Sequence, residues 1–242
     1  MSCSLITTWR RRDLRALDGK VTDGSVARTA ILDWDAPVFE SLGVPDVDGA
    51  GVEYLQQVHR MVQLRIRPVY ALDDTQRTSV TLAKLRGSCS QRLAVVEALA
   101  RRNGIPTRVE GLVLRGEFWY PRFRCLRPVV PDRVLLAWPS FLVDGEWVDA
   151  SRAFTSGCAT SAADFSNRGG ETLFDAAGRS VITWENAAAT GCVDLSRFVI
   201  RSLGTFDSRD ELFRAYGQTL PRAVRVVLEP AFGRWGARRR RA

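Results

Sequence analysis

Residues 88–103 constrain the fold of this chain more than any other stretch. Ser88 is a good N-cap, and Gln91 three residues on makes Ser88-x-x-Gln91 a capping box. Cys89, Leu93, Val96 and Ala100 fall on one face at the helical period. Asn103-Gly104 stops the helix, and Pro106 prevents its return. A helix with one apolar stripe needs an apolar layer to cover it, and strand patterns follow at once. Arg108 to Leu114 reads as a strand, and Arg115-Gly116 as a turn into a second strand from Phe118 to Phe123. Arg133 to Val143 reads as a third, with Pro139 marking an edge or a bulge. Asp144-Gly145 is a two-residue hairpin signal leading into Trp147 to Ser151. The expected class is α+β, a helix packed on an antiparallel meander.

The flanks carry weaker signals. Residues 23–34 could hold a strand after the Asp23-Gly24 turn, and Gly43, Pro45 and Gly49 mark a loop. Residues 51–66 read as a helix with Val52, Leu55, His59, Val62 and Ile66 on one face. The stretch 157–190 is rich in small and polar residues and reads as loops with short strands. Residues 208–217 read as a capped helix, and 220–229 as either strand or helix. These signals divide the chain into an N-terminal extension (1–48), a core (49–155), a C-terminal extension of the same domain (156–232) and a basic, disordered tail (233–242).

Composition excludes several classes. The 242 residues are 45% hydrophobic and 26% charged, a globular balance. No apolar run reaches the roughly 18–20 residues that span a membrane. The N-terminus places its arginines after a weakly apolar stretch, the reverse of a secretory signal. Cytoplasmic localisation without a membrane partner is expected. The five cysteines, at 3, 89, 125, 158 and 192, show no C-x-x-C spacing. Neither a disulfide framework nor a metal site is expected, and no cofactor is implied. The net charge is +8, and every basic residue except Lys20 and Lys84 is arginine. Arg238 to Arg241 reads as a solvated end or as a handle for an acidic partner. No helix-turn-helix, zinc-finger or RNP pattern supports a nucleic-acid partner.

Cys89 sits in the first turn of its helix, where exposed N–H groups and the helix dipole favour an anion and so a thiolate. Arg86 and Arg92 add nearby positive charge. A small buried thiol is the competing reading. The only histidine, His59, lies on an apolar stripe and reads as a core residue, or as a base whose ring reaches a cleft.

Gly87-Ser88-Cys89, the helix, the exit Gly104-Ile105-Pro106-Thr107-Arg108, then Leu136-Ala137-Trp138 and Asp144-Gly145-Glu146-Trp147-Val148, together resemble the core of the transglutaminase-like superfamily over about residues 50–155. The resemblance implies a papain-like fold, a helix bearing the nucleophile against a sheet bearing the base. It carries over Cys89 as nucleophile. Leu136 stands where the family has its histidine, and Ser151 where it has its aspartate. In a Cys–His pair the imidazole takes the thiol proton and returns it to the leaving group, and leucine does neither.

Asp132 and Asp149 are the carboxylates placed to line such a cleft, as a base or as an anchor for an amine. Each also has a plain reading, a turn residue and a solvated sheet residue. Arg108 and Arg133 could clamp an anion, as could Arg127. Trp138 could wall a pocket, although aromatic packing is its ordinary role.

Three functions follow from these readings. The first is a divergent transglutaminase-like enzyme acting on a small amino-acid-derived or carrier-bound substrate. Analogy with the family suggests bacterial natural-product biosynthesis, with ring closure by an amine displacing an anionic leaving group in the same molecule. The second is a non-catalytic binding or scaffold subunit with a protein partner. The third is Cys89-dependent acyl transfer or amide hydrolysis.

Overall fold

A computed structural model of the protein describes residues 22–42, 51–155, 165–185 and 193–236. Helix α1 (Val52–Arg65) leads to strand β1 (Arg67–Pro68), and helix α2 (Thr78–Lys84) to strand β2 (Arg86–Gly87). The two short strands pair in parallel and deliver the chain to helix α3 (Cys89–Arg102). The capping box predicted there forms. Gln91 N–H donates to Ser88 Oγ at 3.2 Å, and Ser88 N–H to Gln91 Oε1 at 3.1 Å. Every residue of α3 from Gln91 to Arg101 is buried, so α3 is the central helix of the core and not a surface amphipath.

Strands β3 (Thr107–Arg115) and β4 (Arg133–Val143) form a nine-residue antiparallel ladder. Asp144 (φ 52°) and Gly145 (φ 82°) turn β4 into β5 (Glu146–Asp149). Positive φ at both turn residues is the geometry a two-residue hairpin requires, and glycine supplies the second at no steric cost. The short helices α4 (Ala150–Phe154) and α5 (Leu173–Ala177) follow. Next come a parallel pair, β6 (Ile182–Thr183) with β7 (Val193–Asp194), and strand β8 (Val199–Phe206). Helices α6 (Arg209–Tyr216) and α7 (Arg222–Phe232) end the described chain. The main sheet has the order β5-β4-β3-β8.

Several local expectations change. The strand expected over Phe118 to Phe123 is absent. Gly116–Trp119 and Arg124–Val129 are 3-10 turns, and Phe118 packs edge-on against Trp119 and Phe198. Gly116 N–H donates to Asp132 O at 2.8 Å, which closes the 115–132 excursion back onto β4. Ser151, read as a strand residue, lies in α4. Pro139 is not in a bulge but is paired with Val109 in an unbroken register. Strand β5 ends opposite Ser140, so Pro139 sits where β4 runs out of a partner on one side, and its missing N–H costs little there. Residues 23–34 contribute one bridge, Ser25 to Thr107. The stretch 220–229 is helix, and the tail arginines 238–241 lie outside the described residues.

The sheet has two distinct faces. Thr107, Val109 and Gly111 of β3 share one face with their partners Phe141, Pro139 and Ala137. Helix α3 lies on this face, since Arg101 Nε donates to Thr107 Oγ1 at 2.7 Å. Helix α6 lies there too, because a Cβ on Gly111 would come within 2.7 Å of Leu212 Cδ1. The other face carries Arg108, Glu110 and Leu112 with Ser140, Trp138 and Leu136. One hydrophobic cluster runs from Ile31 to Tyr216 through both layers.

Candidate functional site

Cys89 opens α3 and is half-buried against the main cluster. The positive charge expected from Arg92 is not free to act on it. Arg92 is fully buried, with its guanidinium 4.0 Å above the Phe174 ring and 3.2 Å from Asp175. Burial alone would raise Asp175. The Arg92 charge and hydrogen bonds from Thr172 outweigh it and hold that carboxyl below its usual range.

His59 serves as a packing residue. It is 2% exposed and sandwiched between Phe154 and Phe174, with ring centroids 4.5 and 4.3 Å away. Its Nε2 lies 2.9 Å from Phe174 O. A Cβ on Gly178 would fall 2.3 Å from its Cε1, so only glycine admits the ring there. Desolvation lowers its pKa to about 4, against a weaker upward pull from the Phe174 carbonyl. The one imidazole of the chain is therefore neutral near pH 7 and closed off by rings.

Leu136 pairs with Leu112 on the sheet face opposite α3 and is buried. Ser151 is fully buried. Its hydroxyl donates to Asp149 Oδ1 at 2.6 Å and accepts Ile182 N–H at 2.9 Å, tying α4 to β6. Asp149 caps α4 through Ser151 N–H (2.9 Å) and Arg152 N–H (3.3 Å). Both positions that follow the hairpin tryptophan are thus engaged in holding one helix start.

The remaining sequence candidates are spread over the molecule. Trp138 is buried and packs edge-on against Trp184 at 5.2 Å. Arg108 stacks 4.2 Å over Trp147 and donates to Thr22 O at 3.2 Å. Asp132 and Arg133 are exposed and line an open cleft with Arg115, Glu117 and Tyr120. Arg127 lies 5.4 Å from the Tyr120 ring. Among the described residues, no group of three or more His, Cys, Asp or Glu could hold a metal ion.

A different carboxylate meets the residue that follows Cys89. Asp74, in the loop before α2, hydrogen-bonds the hydroxyl of Ser90, the next residue along α3. Arg209 Nη1 donates to the same Ser90 Oγ at 3.0 Å, and Arg209 Nε meets Glu97 Oε1 at 2.6 Å. Arg209 and Glu97 are both fully buried, and Arg209 also reaches Ala137 O on β4 at 3.3 Å. The result is a row Asp74–Ser90–Arg209–Glu97 along the start of α3. Burial pushes Asp74 up to about 6, although Ser90 and Arg209 pull it down. Glu97 is also raised, by burial first, despite its guanidinium partner. A carboxyl poised near pH 6 in such a setting can accept or release a proton near neutrality. Asp73-Asp74-Thr75 reads as an ordinary turn in sequence, and only the return of α6 across the sheet brings Arg209 to it.

Residues 46–151 match the model of the transglutaminase-like superfamily. No curated protein and no solved structure matches the chain.

Proposed function

Since residues 46–151 form a transglutaminase-like superfamily domain, we propose that the protein is a divergent enzyme of that fold in which Asp74, and not a histidine, handles the proton. The observation that carries this reading is the carboxyl raised to about 6 and hydrogen-bonded to Ser90 beside Cys89, in a chain whose single imidazole is sealed between two phenyl rings. The chemistry that such a site favours is ring closure within a small amino-acid-derived or carrier-bound substrate. The substrate amine forms a C–N bond, and the bond from the same carbon to an anionic leaving group breaks. The ammonium proton passes to the Asp74 carboxylate. Holding both ends in one molecule removes most of the entropic barrier, so one base is enough. A role in bacterial natural-product biosynthesis is the setting that this chemistry suggests.

The test uses O-phosphohomoserine and its one-carbon-longer homologue, with phosphate release and the cyclised product read by mass spectrometry. Asp74→Asn is expected to lower turnover by about a hundredfold or more, with Cys89→Ala close to wild type. Asp132→Asn checks the cleft it shares with Arg133. Loss of turnover in Cys89→Ala alone, with rapid iodoacetamide labelling of Cys89, would replace this reading with Cys89-dependent acyl transfer. The reading of a binding or scaffold subunit draws on Val226 and Val227 of α7, which are 66% and 74% exposed. It would be favoured if no variant differed from wild type in turnover.

A further inference from the structure

A cavity of about 370 Å³ opens between α7 and the strand pair β1–β2. Its polar lining is unbalanced. Lys84 of α2, Arg86 of β2 and Arg234 beyond α7 face it, against the single carboxylate of Glu229. Glu229 is already engaged, accepting Leu72 N–H at 2.7 Å through Oε2. Among the described residues none of the three cations is in an ion pair. Lys84 spends one proton on Gln76 Oε1 (2.7 Å), and Arg234 one on Pro230 O (3.3 Å). Gln91, at the back of the cavity, has both ends of its amide committed, to Asp73 O and Ser88 N–H. The donors left over are therefore cationic, and they come from three separate elements.

Three cations against one carboxylate leave this space with a net positive charge, which favours an anion. We propose that this cavity is a binding site for a phosphate group, with Arg86, Arg234 and Lys84 as its ligands. Two guanidiniums and an ammonium match the several acceptor oxygens of a phosphate dianion better than a monocarboxylate. The volume leaves room for a phosphate and a small organic group esterified to it, which the apolar side chains of Val69, Ala71, Val226 and Pro230 would flank. Both rims of the cavity belong to segments that end on one another. Tyr70 N–H donates to Trp235 O at 3.1 Å, and Val69 bridges Gly236, so the segment carrying Arg234 is tied by backbone bonds to the segment that follows β1.

This inference goes beyond the acid–base reading and can fail separately from it. The full chain is titrated with inorganic phosphate and, in parallel, with glycerol 3-phosphate, followed by calorimetry. Saturable binding is expected. Arg86→Ala and Arg234→Ala should each weaken it about tenfold or more, the loss of one charge-assisted contact. Arg86→Lys should recover part of the loss. Arg222→Ala, on exposed α7 outside the cavity, should leave it unchanged. Tighter binding of the ester would assign the site to an organic phosphate, and tighter binding of the inorganic ion to free phosphate. Equal affinity of wild type and Arg234→Ala, or no saturation with either probe, would overturn the proposal. Arg234 is exposed, so that comparison stands even if Arg86→Ala folds poorly.

Discussion

Two titrating groups act on stability in opposite directions over nearly the same range of pH. Asp74 is raised to about 6 from a usual 3.8, so the folded protein holds that proton more tightly than the unfolded chain. Its contribution is complete below about pH 4 and is lost as the pH rises to 6. His59 is lowered to about 4 from 6.5, so the unfolded chain takes that proton more readily. Its contribution is complete above pH 6.5 and is lost as the pH falls to 4. Urea unfolding across pH 4–7 should separate the two. His59→Phe should remove a slope that reaches at most about 1.4 kcal/mol per pH unit. Asp74→Asn should gain stability over wild type above pH 6. Neither group could be identified fully from sequence. The apolar stripe of α1 made His59 legible as a core residue, but Asp74 has no local pattern, because its environment is assembled by Ser90 and by Arg209, which lies 135 positions away in the chain.

At the scale of elements, helix starts were the most legible features, since a cap is a local bargain among four residues. Ser88 with Gln91 formed as read, and the helix expected over 208–217 is capped by Ser208, which accepts Glu211 N–H. The hairpin at Asp144-Gly145 did as well, because its backbone needs positive φ and little else. Phe118 to Phe123 misled because apolar residues in a tight excursion pack inward without pairing. Strand β8 is not legible in the sequence, because Arg201, Ser202 and Gly204 interrupt its apolar pattern. The joint at α4 combines both kinds of feature. Asp149 caps it locally, while Ser151 ties it to Ile182, thirty-one positions on. Asp149→Ala should cost about 1 kcal/mol for the cap. Ser151→Ala leaves Ile182 N–H unpaired and should cost about 1–3 kcal/mol. The double variant should cost less than the sum, since the two side chains share one hydrogen bond. Chemical denaturation of the three variants checks this.

Across the molecule, burial is distributed unevenly. Helix α3 is covered on nearly all sides, whereas none of the eleven residues of α7 is buried. The attachments of α7 are mostly polar, Arg225 to Asp73 at 2.6 Å and Glu229 to Leu72 N–H, with an aromatic contact between Phe232 and Phe123 at 6.4 Å. Amides of α7 should therefore exchange with solvent through local opening, while those of α3 wait for global unfolding. Hydrogen exchange by mass spectrometry should show a gap of several orders of magnitude between the two helices. Saturating phosphate should narrow it, since Arg234 and Glu229 sit on the cavity rim. If α7 were as protected as α3 without any ligand, its weak attachment would be refuted.

The placement of β8 beside β3 has a consequence for how the chain reaches this structure. Residues 46–151 contain β3, β4 and β5 but not β8, which begins at Val199. A chain cut after Ser151 would leave the hydrogen-bonding row of β3 bare from Val109 to Leu114, a template for pairing with another copy. On a ribosome, the same row stays uncovered until some fifty further residues have emerged. The β3 row is thus an open edge of the growing chain, and the loop-closing step that brings in β8 should set the pace of folding.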